Sequence, residues 1–414
     1  MERSYETYID NKRDIPALVA LSLLTICGWI SISLGFLLCP FVLFFCSKRI
    51  KRPGGFHFEI FDWSLLLVSI VEIFLLFYSS YMPNSIDEIR NVLYAITFWF
   101  IARICVINRE TINRYLTIWS YVVFILSTIT LFSYIKHRES FVQLGYTDMT
   151  LVRQYYHPLG FISNDWVSIL ICLLPMPLYS YMISRTLLSR IIHLAGFISV
   201  NVALFVSFSR AAYLSIFVFY VICIFIYLFK DNKFKKHFVK LTTITIIVSC
   251  VALSPDRQSV ATTLAVSKTT TQQRSINGRY KKWKEAIDLF KQKPVVGVGG
   301  GNYANASVLN GSKDSDSLSN RSTNSYFQLM VEKGILGSIV YLLAILCFLK
   351  DGIKSVLKNP MCGSVLASIV ALLVREFFFS SFFEEKRLPM LTIVLLFAIL
   401  YNSYVYCNKK EDSI

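Results

Sequence analysis

The sequence predicts an all-α, polytopic membrane protein of about twelve transmembrane helices, with one large extramembrane loop between spans 9 and 10. Three observations lead there. Hydrophobic residues fill 55% of the 414 positions and charged residues only 16%, with a mean hydropathy of +0.53. A soluble globular chain carries roughly 25% charged residues, so most of this surface has lipid as its solvent. Apolar runs of span length recur along the chain, and Lys and Arg gather in short clusters between them.

A span takes about 20 apolar residues, in a range of roughly 17–25. Ile15–Cys46 is too long for one helix and fits two short ones that turn near Gly28–Ser33. It also far exceeds the roughly 7–15 apolar residues of a secretory signal and lacks a small-residue cleavage site. The next runs are Phe61–Tyr78, Val92–Ile107, Tyr115–Tyr134, Phe161–Ile183, Ile191–Ser207, Ala211–Phe229, Leu241–Leu253, Ile335–Leu349, Met361–Phe378 and Leu388–Tyr406. With Arg3, Lys12 and Arg13 on the cytoplasmic side, the clusters at 48–52, 109–114, 185–190, 230–240, 350–358 and 409–410 all fall on that side. Losing one span would move every later cluster to the wrong face, so the parity supports the count.

Two substantial loops lie opposite, about Lys136–Leu159 and about Ser254–Thr323. The larger is basic through Arg274, Arg279, Lys281, Lys282, Lys284, Lys291 and Lys293. Long loops escape the positive-inside rule, and their charges call for another explanation, such as an anionic ligand. Inside it, Trp283, Ala286, Ile287 and Phe290 recur at helical spacing over Tyr280–Lys291. That amphipathic helix either lies on the membrane surface or packs on the transmembrane bundle. Pro294 ends it, and Gly297-Val-Gly-Gly-Gly-Asn302 follows. With no Gly-Lys-Ser/Thr after it, this is a sharp turn or a close backbone approach rather than a phosphate-cradling loop.

The basic charge, +16 overall, does not form the continuous face with accessible aromatics that nucleic acid needs, so nucleic acid is excluded as a partner. None of the ten cysteines falls in the long loop and no CxxC occurs. They read as small hydrophobes, with no disulfide framework and no metal site.

Polar groups set against lipid default to functional hypotheses. Arg210, in Val206-Ser-Phe-Ser-Arg-Ala212, sits in a hairpin with almost no loop. Its guanidinium could clamp a phosphate with two parallel bonds, or it could be an interfacial Arg snorkelling to the headgroups. Arg279, after Gly278, suits an anion site at a helix N-terminus, against an ordinary solvated Arg. Ser322–Gly337 begins polar and runs into a span, with Asn324, Gln328 and Glu332 on one helical face. There the plain reading is a capped helix entrance.

In chain order these are a tight-hairpin Ser-Arg-Ala, a Gly-Arg followed by Trp283 and Pro294-Val-Val-Gly-Val-Gly-Gly-Gly-Asn-Tyr303, and an Asn324-Ser-Tyr-x-Gln-x-x-x-Glu-x-Gly-x-x-Gly337. Together they resemble the O-antigen ligase and polysaccharide polymerase superfamily, most strongly over Ser207–Gly337. The resemblance implies a metal-independent, cofactor-free glycosyltransferase of the bacterial inner membrane, with its active site on the periplasmic side. Its donor would be a glycan on undecaprenyl pyrophosphate, and its acceptor another glycan or lipid A-core. Membrane lipids and a chain-length regulator would be its other partners. It also implies a layout of N-terminal helices (1–206), a catalytic core (207–349, with periplasmic loop 254–323) and C-terminal helices (350–414).

By similarity Arg210 and Arg279 hold the pyrophosphate, and Asn324 completes the catalytic set. Ser209, Arg153, His157, Tyr326, Gln328 and Glu332 are weaker candidates for substrate binding. Ligases carry His just before the motif's Asn, proposed to activate the acceptor hydroxyl. Here that position is Thr323, which cannot act as a base near neutral pH. His137, His157 and Glu332 are the candidates to assist, and the loss tilts the reading toward a polymerase over a ligase. Glu72, with no local partner, Arg375-Glu376 and Asn164-Asp165-Trp166 are expected to be structural. A transporter or flippase is the rival class, but such chains show paired halves and midplane broken helices. Here one large loop comes late, with no counterpart in the first half.

Overall fold

The structure, a computed structural model, describes residues 19–26, 31–50, 58–105, 109–143, 163–228, 232–253, 270–310, 322–358, 362–378, 396 and 398–400. Every regular element among them is a helix. After helical turns at 19–26 come α1 (Ile32–Ile50), α2 (Ile60–Leu76), α3 (Met82–Cys105) and α4 (Arg109–Gln143). Next are α5 (Ser163–Leu173), α6 (Pro175–Ile183), α7 (Leu187–Phe205), α8 (Arg210–Leu228) and α9 (Asn232–Leu253). The last are α10 (Thr270–Gln292), α11 (Tyr303–Leu309), α12 (Ser325–Lys358) and α13 (Gly363–Arg375).

Five described helices are long and apolar enough to cross a membrane: Ile112–Arg138, Asp165–Ile183, Leu187–Phe205, Arg210–Leu228 and Ser325–Leu357. Ser33–Phe44 and Gly363–Arg375 are apolar but shorter. The expected runs thus become helices, with shifted limits. The 15–46 run breaks between 26 and 32, at the expected turn. Helix α4 runs to Gln143 and takes in residues assigned to a loop from Lys136. The 161–183 run is divided at Leu174, where Pro175 and Pro177 follow. The run at 388–406 lies almost wholly outside the described residues.

The chain divides into two compact units. Unit 1 comprises residues 1–115, 284–358 and 382–414. In it α12 packs along α2, and α3 packs against both α1 and α2. Helix α2 is 17 residues long and carries two buried acids, Asp62 and Glu72. Each is neutralised from afar. Asp62 accepts hydrogen bonds from Trp99 Nε1 at 2.9 Å, from the Glu59 amide at 2.8 Å and from Arg103. Glu72 faces Lys333 and Tyr341 of α12. A buried carboxylate survives in an apolar bundle only when its lone pairs are filled in this way.

Unit 2 comprises residues 116–283 and 359–381. Its centre is the pair α8–α13, which α5, α6, α7 and α9 surround. A Cβ on Gly363 would come within 2.8 Å of Ile226, so this glycine lets the start of α13 close on the end of α8. The Tyr227 hydroxyl also meets Ser364 there. From that crossing α13 can lie along α8 only in the antiparallel sense. Its last residue, Arg375, then lies toward the N-terminal half of α8.

Candidate active site

The first cluster is built at the α7–α8 turn of unit 2. Four residues, Val206–Ser209, join the two helices. The Ser207 hydroxyl donates to the Leu204 carbonyl at 2.6 Å, and the Tyr213 hydroxyl donates back to Phe205 O at 2.8 Å. Phe208 has φ 47° and is buried, with its ring 6.0 Å from that of Tyr134. A bulky residue in the left-handed region is strained and persists because these contacts over-determine the turn. The Ser209 carbonyl accepts the first α8 bond, from the Tyr213 amide at 3.0 Å. Arg210 therefore opens α8, where the helix leaves its first amides unpaired and its dipole is positive. Helix end and guanidinium together favour an anion.

Arg279 occupies a different place from the one expected. It lies in the body of α10, nine residues past Thr270, and not at a helix N-terminus. It is half-buried, and loss of water together with the charge of Arg210 lowers its pKa below the ordinary arginine value. The two guanidinium groups therefore come within electrostatic reach of each other. Neither has an ion-pair partner among the described residues. Two half-buried cations that repel one another and lack an acid present a site complementary to a multivalent anion.

The second cluster belongs to unit 1. Thr323 has φ 57°, and its hydroxyl is buried with no hydrogen-bond partner among the described residues. Ser322 Oγ donates to Asn324 O at 2.5 Å and accepts from the Asn324 amide at 3.2 Å. Asn324 Oδ1 accepts from the amides of Tyr326 at 2.9 Å and Phe327 at 3.1 Å. It is the N-cap of α12. Asn324→Ala is expected to lower stability by about 1 kcal/mol, and Asn324→Asp to keep the cap. Thermal unfolding in detergent reads the difference. Gln328 Nε2 donates to Glu332 Oε1 at 3.2 Å, and the Tyr303 amide reaches the same oxygen at 3.3 Å. Buried and committed to α11, Glu332 here acts as a tether.

The glycine cluster is both a turn and a close approach. Gly297, Gly299 and Gly301 have positive φ, and a Cβ on Gly299 would lie 2.6 Å from Ser79 Oγ. The loop docks where α12 breaks at Gly334 (φ 61°, ψ −166°). The break frees helical groups on both sides, and the loop satisfies them. Ile335 N bonds Pro294 O at 2.8 Å, Leu336 N bonds Val295 O at 3.2 Å, and Val331 O and Glu332 O accept from Val298 and Gly299 at 2.9 Å. Asn302 adds bonds to Ser79 and Tyr81 of the α2–α3 turn and to Ser85 in the first turn of α3. Ala286 and Leu289 of α10 pack with Val298, Tyr303 and Val331, and Phe290 lies against them. Of the two readings left open for the amphipathic helix, packing is the one observed. Its inward face is turned slightly from that expected, and Ile287 stays 40% exposed.

Arg210, Ser209 and Arg279 thus share unit 2, while Asn324, Tyr326, Gln328 and Glu332 share unit 1. Arg153 and His157 lie outside the described residues. The partners of Glu72 were missed, because Lys333 and Tyr341 are 261 and 269 residues away. Arg375 forms the expected pair with Glu376, at 3.9 Å, but also donates to Ser168 and lies within electrostatic reach of Asp165 and Arg279. The only advance sign was an Arg-Glu pair in an apolar run.

Comparison with curated proteins finds no match. Residues 194–342 match the family model described as O-antigen ligase. That stretch contains the strained turn at Phe208, both arginines, the glycine loop and the capped start of α12. The apolar helices make the chain a multi-pass membrane protein, and over residues 194–342 it is similar to the O-antigen ligase family.

Proposed function

We propose that this protein is a glycosyltransferase of the bacterial inner membrane that extends a surface polysaccharide from an undecaprenyl-pyrophosphate donor at the periplasmic face. The single observation that carries the reading is the pair Arg210–Arg279, two half-buried cations within reach of each other and without an acid partner among the described residues. In the transfer, an acceptor hydroxyl attacks the anomeric carbon of the donor. The sugar–phosphate bond breaks, the electron pair leaves with the diphosphate, and the hydroxyl proton passes to the departing phosphate or to water. Charge develops on the diphosphate as that bond breaks, and fixed cations in a partly dry site stabilise it. Arginines can fill the role that a metal ion plays elsewhere. About twelve spans with loop 254–323 outside, as the charge parity indicates, would set Arg279 on the same face as the α7–α8 turn.

A polymerase is favoured over a ligase because Thr323 replaces the histidine expected before Asn324. Purified protein supplied with a lipid-linked glycan is expected to consume it and form new glycosidic bonds. Movement of the lipid across liposomes without bond formation would instead establish a transporter. A deletion strain is expected to carry single repeats on lipid A-core. Bare core with accumulated lipid-linked polymer would assign the protein as a ligase.

A further inference from the structure

Exposed apolar side chains are ordinary on a helix that faces lipid, but on a loop and a short helix outside the spans they mark a surface with a partner. Past the end of α10, Val295, Val308 and Leu309 are 61%, 51% and 85% exposed, while Val298 and Tyr303 of the same stretch are buried. Three hydrogen bonds fix their place within unit 1. Gln292 Nε2 donates to Asn310 Oδ1 at 3.1 Å, which ties the end of α11 to the end of α10, just ahead of Val295. The Val295 carbonyl accepts from the Leu336 amide at 3.2 Å, where the apolar part of α12 begins. The Ser80 amide donates to Val298 O at 2.9 Å, which seats the glycine loop on the α2–α3 turn. Both of these neighbours carry lipid-facing surface. Helix α12 is long and apolar enough to cross a membrane and exposes Ile335, Leu336 and Ile339. The α2–α3 turn exposes Phe77, Tyr78 and Tyr81 at the end of an apolar run, and tyrosines gather where hydrocarbon meets headgroups.

We infer that the glycine loop and α11 form an interfacial element, seated in the phospholipid bilayer with Val295, Val308 and Leu309 among the acyl chains just below the headgroups. Continuity selects the bilayer as the occupant, because Val295 extends the exposed stripe of α12 and a protein partner there would have to displace lipid from that stripe as well. The adjoining chain offers little cover, since residues 311–321 carry one large apolar side chain, Leu318. The backbone is also prepared for an apolar layer. The amides of Val298 and Gly299 and the carbonyls of Pro294, Val295, Gly300 and Gly301 are all bonded within the protein, so none of them enters it bare. The glycine loop is thereby held at headgroup level from two sides, by the α2–α3 turn and by lipid. All of these residues belong to unit 1, and the inference stands whether or not Arg210 and Arg279 clamp a diphosphate.

The test uses the full chain in vesicles of phosphatidylethanolamine and phosphatidylglycerol. A photoreactive benzophenone side chain is placed singly at Leu309, Val295 or Asp288, and its adducts are identified by mass. Asp288 is the control, an exposed side chain on α10. Burial of a leucine or valine side chain favours an apolar surrounding over water by about tenfold or more, so lipid adducts at 309 and 295 should exceed those at 288 by about that factor. Adducts to a second protein chain in their place would overturn the inference, as would lipid adducts no more frequent at 309 and 295 than at 288. Because a benzophenone seeks lipid by itself, a small probe provides the second measurement. Leu309→Cys and Val295→Cys should react with a membrane-impermeant maleimide about tenfold more slowly than Asp288→Cys, after subtraction of the wild-type background. Equal rates would overturn the inference even if lipid adducts form. None of these readouts depends on transferase activity, so their failure leaves the proposed function standing.

Discussion

Arg279→Ala and Arg210→Ala are each expected to abolish long-chain glycan while the protein remains in the membrane at its normal level. Removing one preorganised donor from a site of developing negative charge typically costs about 10²–10³ in rate, or about 2.7–4 kcal/mol. Loss of that order leaves no long polymer, because every added unit passes through the slowed step. Both guanidinium groups are half-buried, and burial together with Arg210 lowers the pKa of Arg279. An anion bound between them relieves that repulsion, so each is more valuable with ligand than without. Lysine should rescue poorly at either position, because an ammonium lacks the planar fork that engages two phosphate oxygens. The double variant should lose little more than each single one, since both residues grip one group. Measuring glycan length and membrane abundance together checks all of this. Full activity in either single variant would remove the proposed clamp.

The α7–α8 turn was legible in the sequence because two apolar runs left only Phe208–Arg210 between them, and so short a connection allows little freedom. The body of α10 around Arg279 was not. From Thr270 to Asn277 the helix carries a single apolar side chain, Ile276, and periodicity shows a helix only where apolar residues recur on one face. Periodicity therefore starts the helix at Tyr280, which wrongly puts Arg279 at an N-terminus. The role of Asn324 was open to two readings, and the cap geometry supplies the structural one. Arg375 was visible only as a local pair with Glu376, because its contact with Ser168 joins positions 207 residues apart.

The membrane helices themselves were written plainly in the apolar runs. Their ends were harder to place, since a helix continues past its apolar stretch wherever polar residues can reach solvent or a partner. Met82–Ile89 precedes the apolar part of α3 in this way, and Ser325–Lys333 precedes that of α12. Glu72 shows the complementary difficulty. One acid in an apolar run signals a partner without naming it, and no spacing rule reaches from residue 72 to residue 333.

Lys333→Met is expected to destabilise unit 1 by about 3–5 kcal/mol, because it would leave a buried carboxylate without its cation. Lys333 is fully buried, with Nζ 2.6 Å from Glu72 Oε2, and the Tyr341 hydroxyl donates to Oε1 at 2.6 Å. Without the ammonium, Tyr341 would remain the hydrogen-bond donor to Glu72. The double variant Lys333→Met/Glu72→Leu should recover most of the loss, since a buried ion pair replaced by apolar residues of similar volume is often neutral or stabilising. Thermal unfolding in detergent and membrane abundance provide the comparison, and a double variant no more stable than the single one would contradict it. The pair also has a place in the site. Lys333 directly precedes the break at Gly334, where the glycine loop supplies the hydrogen bonds that the helix gives up. Pinned to α2 there, α12 can carry a non-helical residue without unravelling toward Gln328 and Glu332. Stability should therefore return in the double variant before activity does, because the apolar replacement restores packing but not the polar fixation of the break.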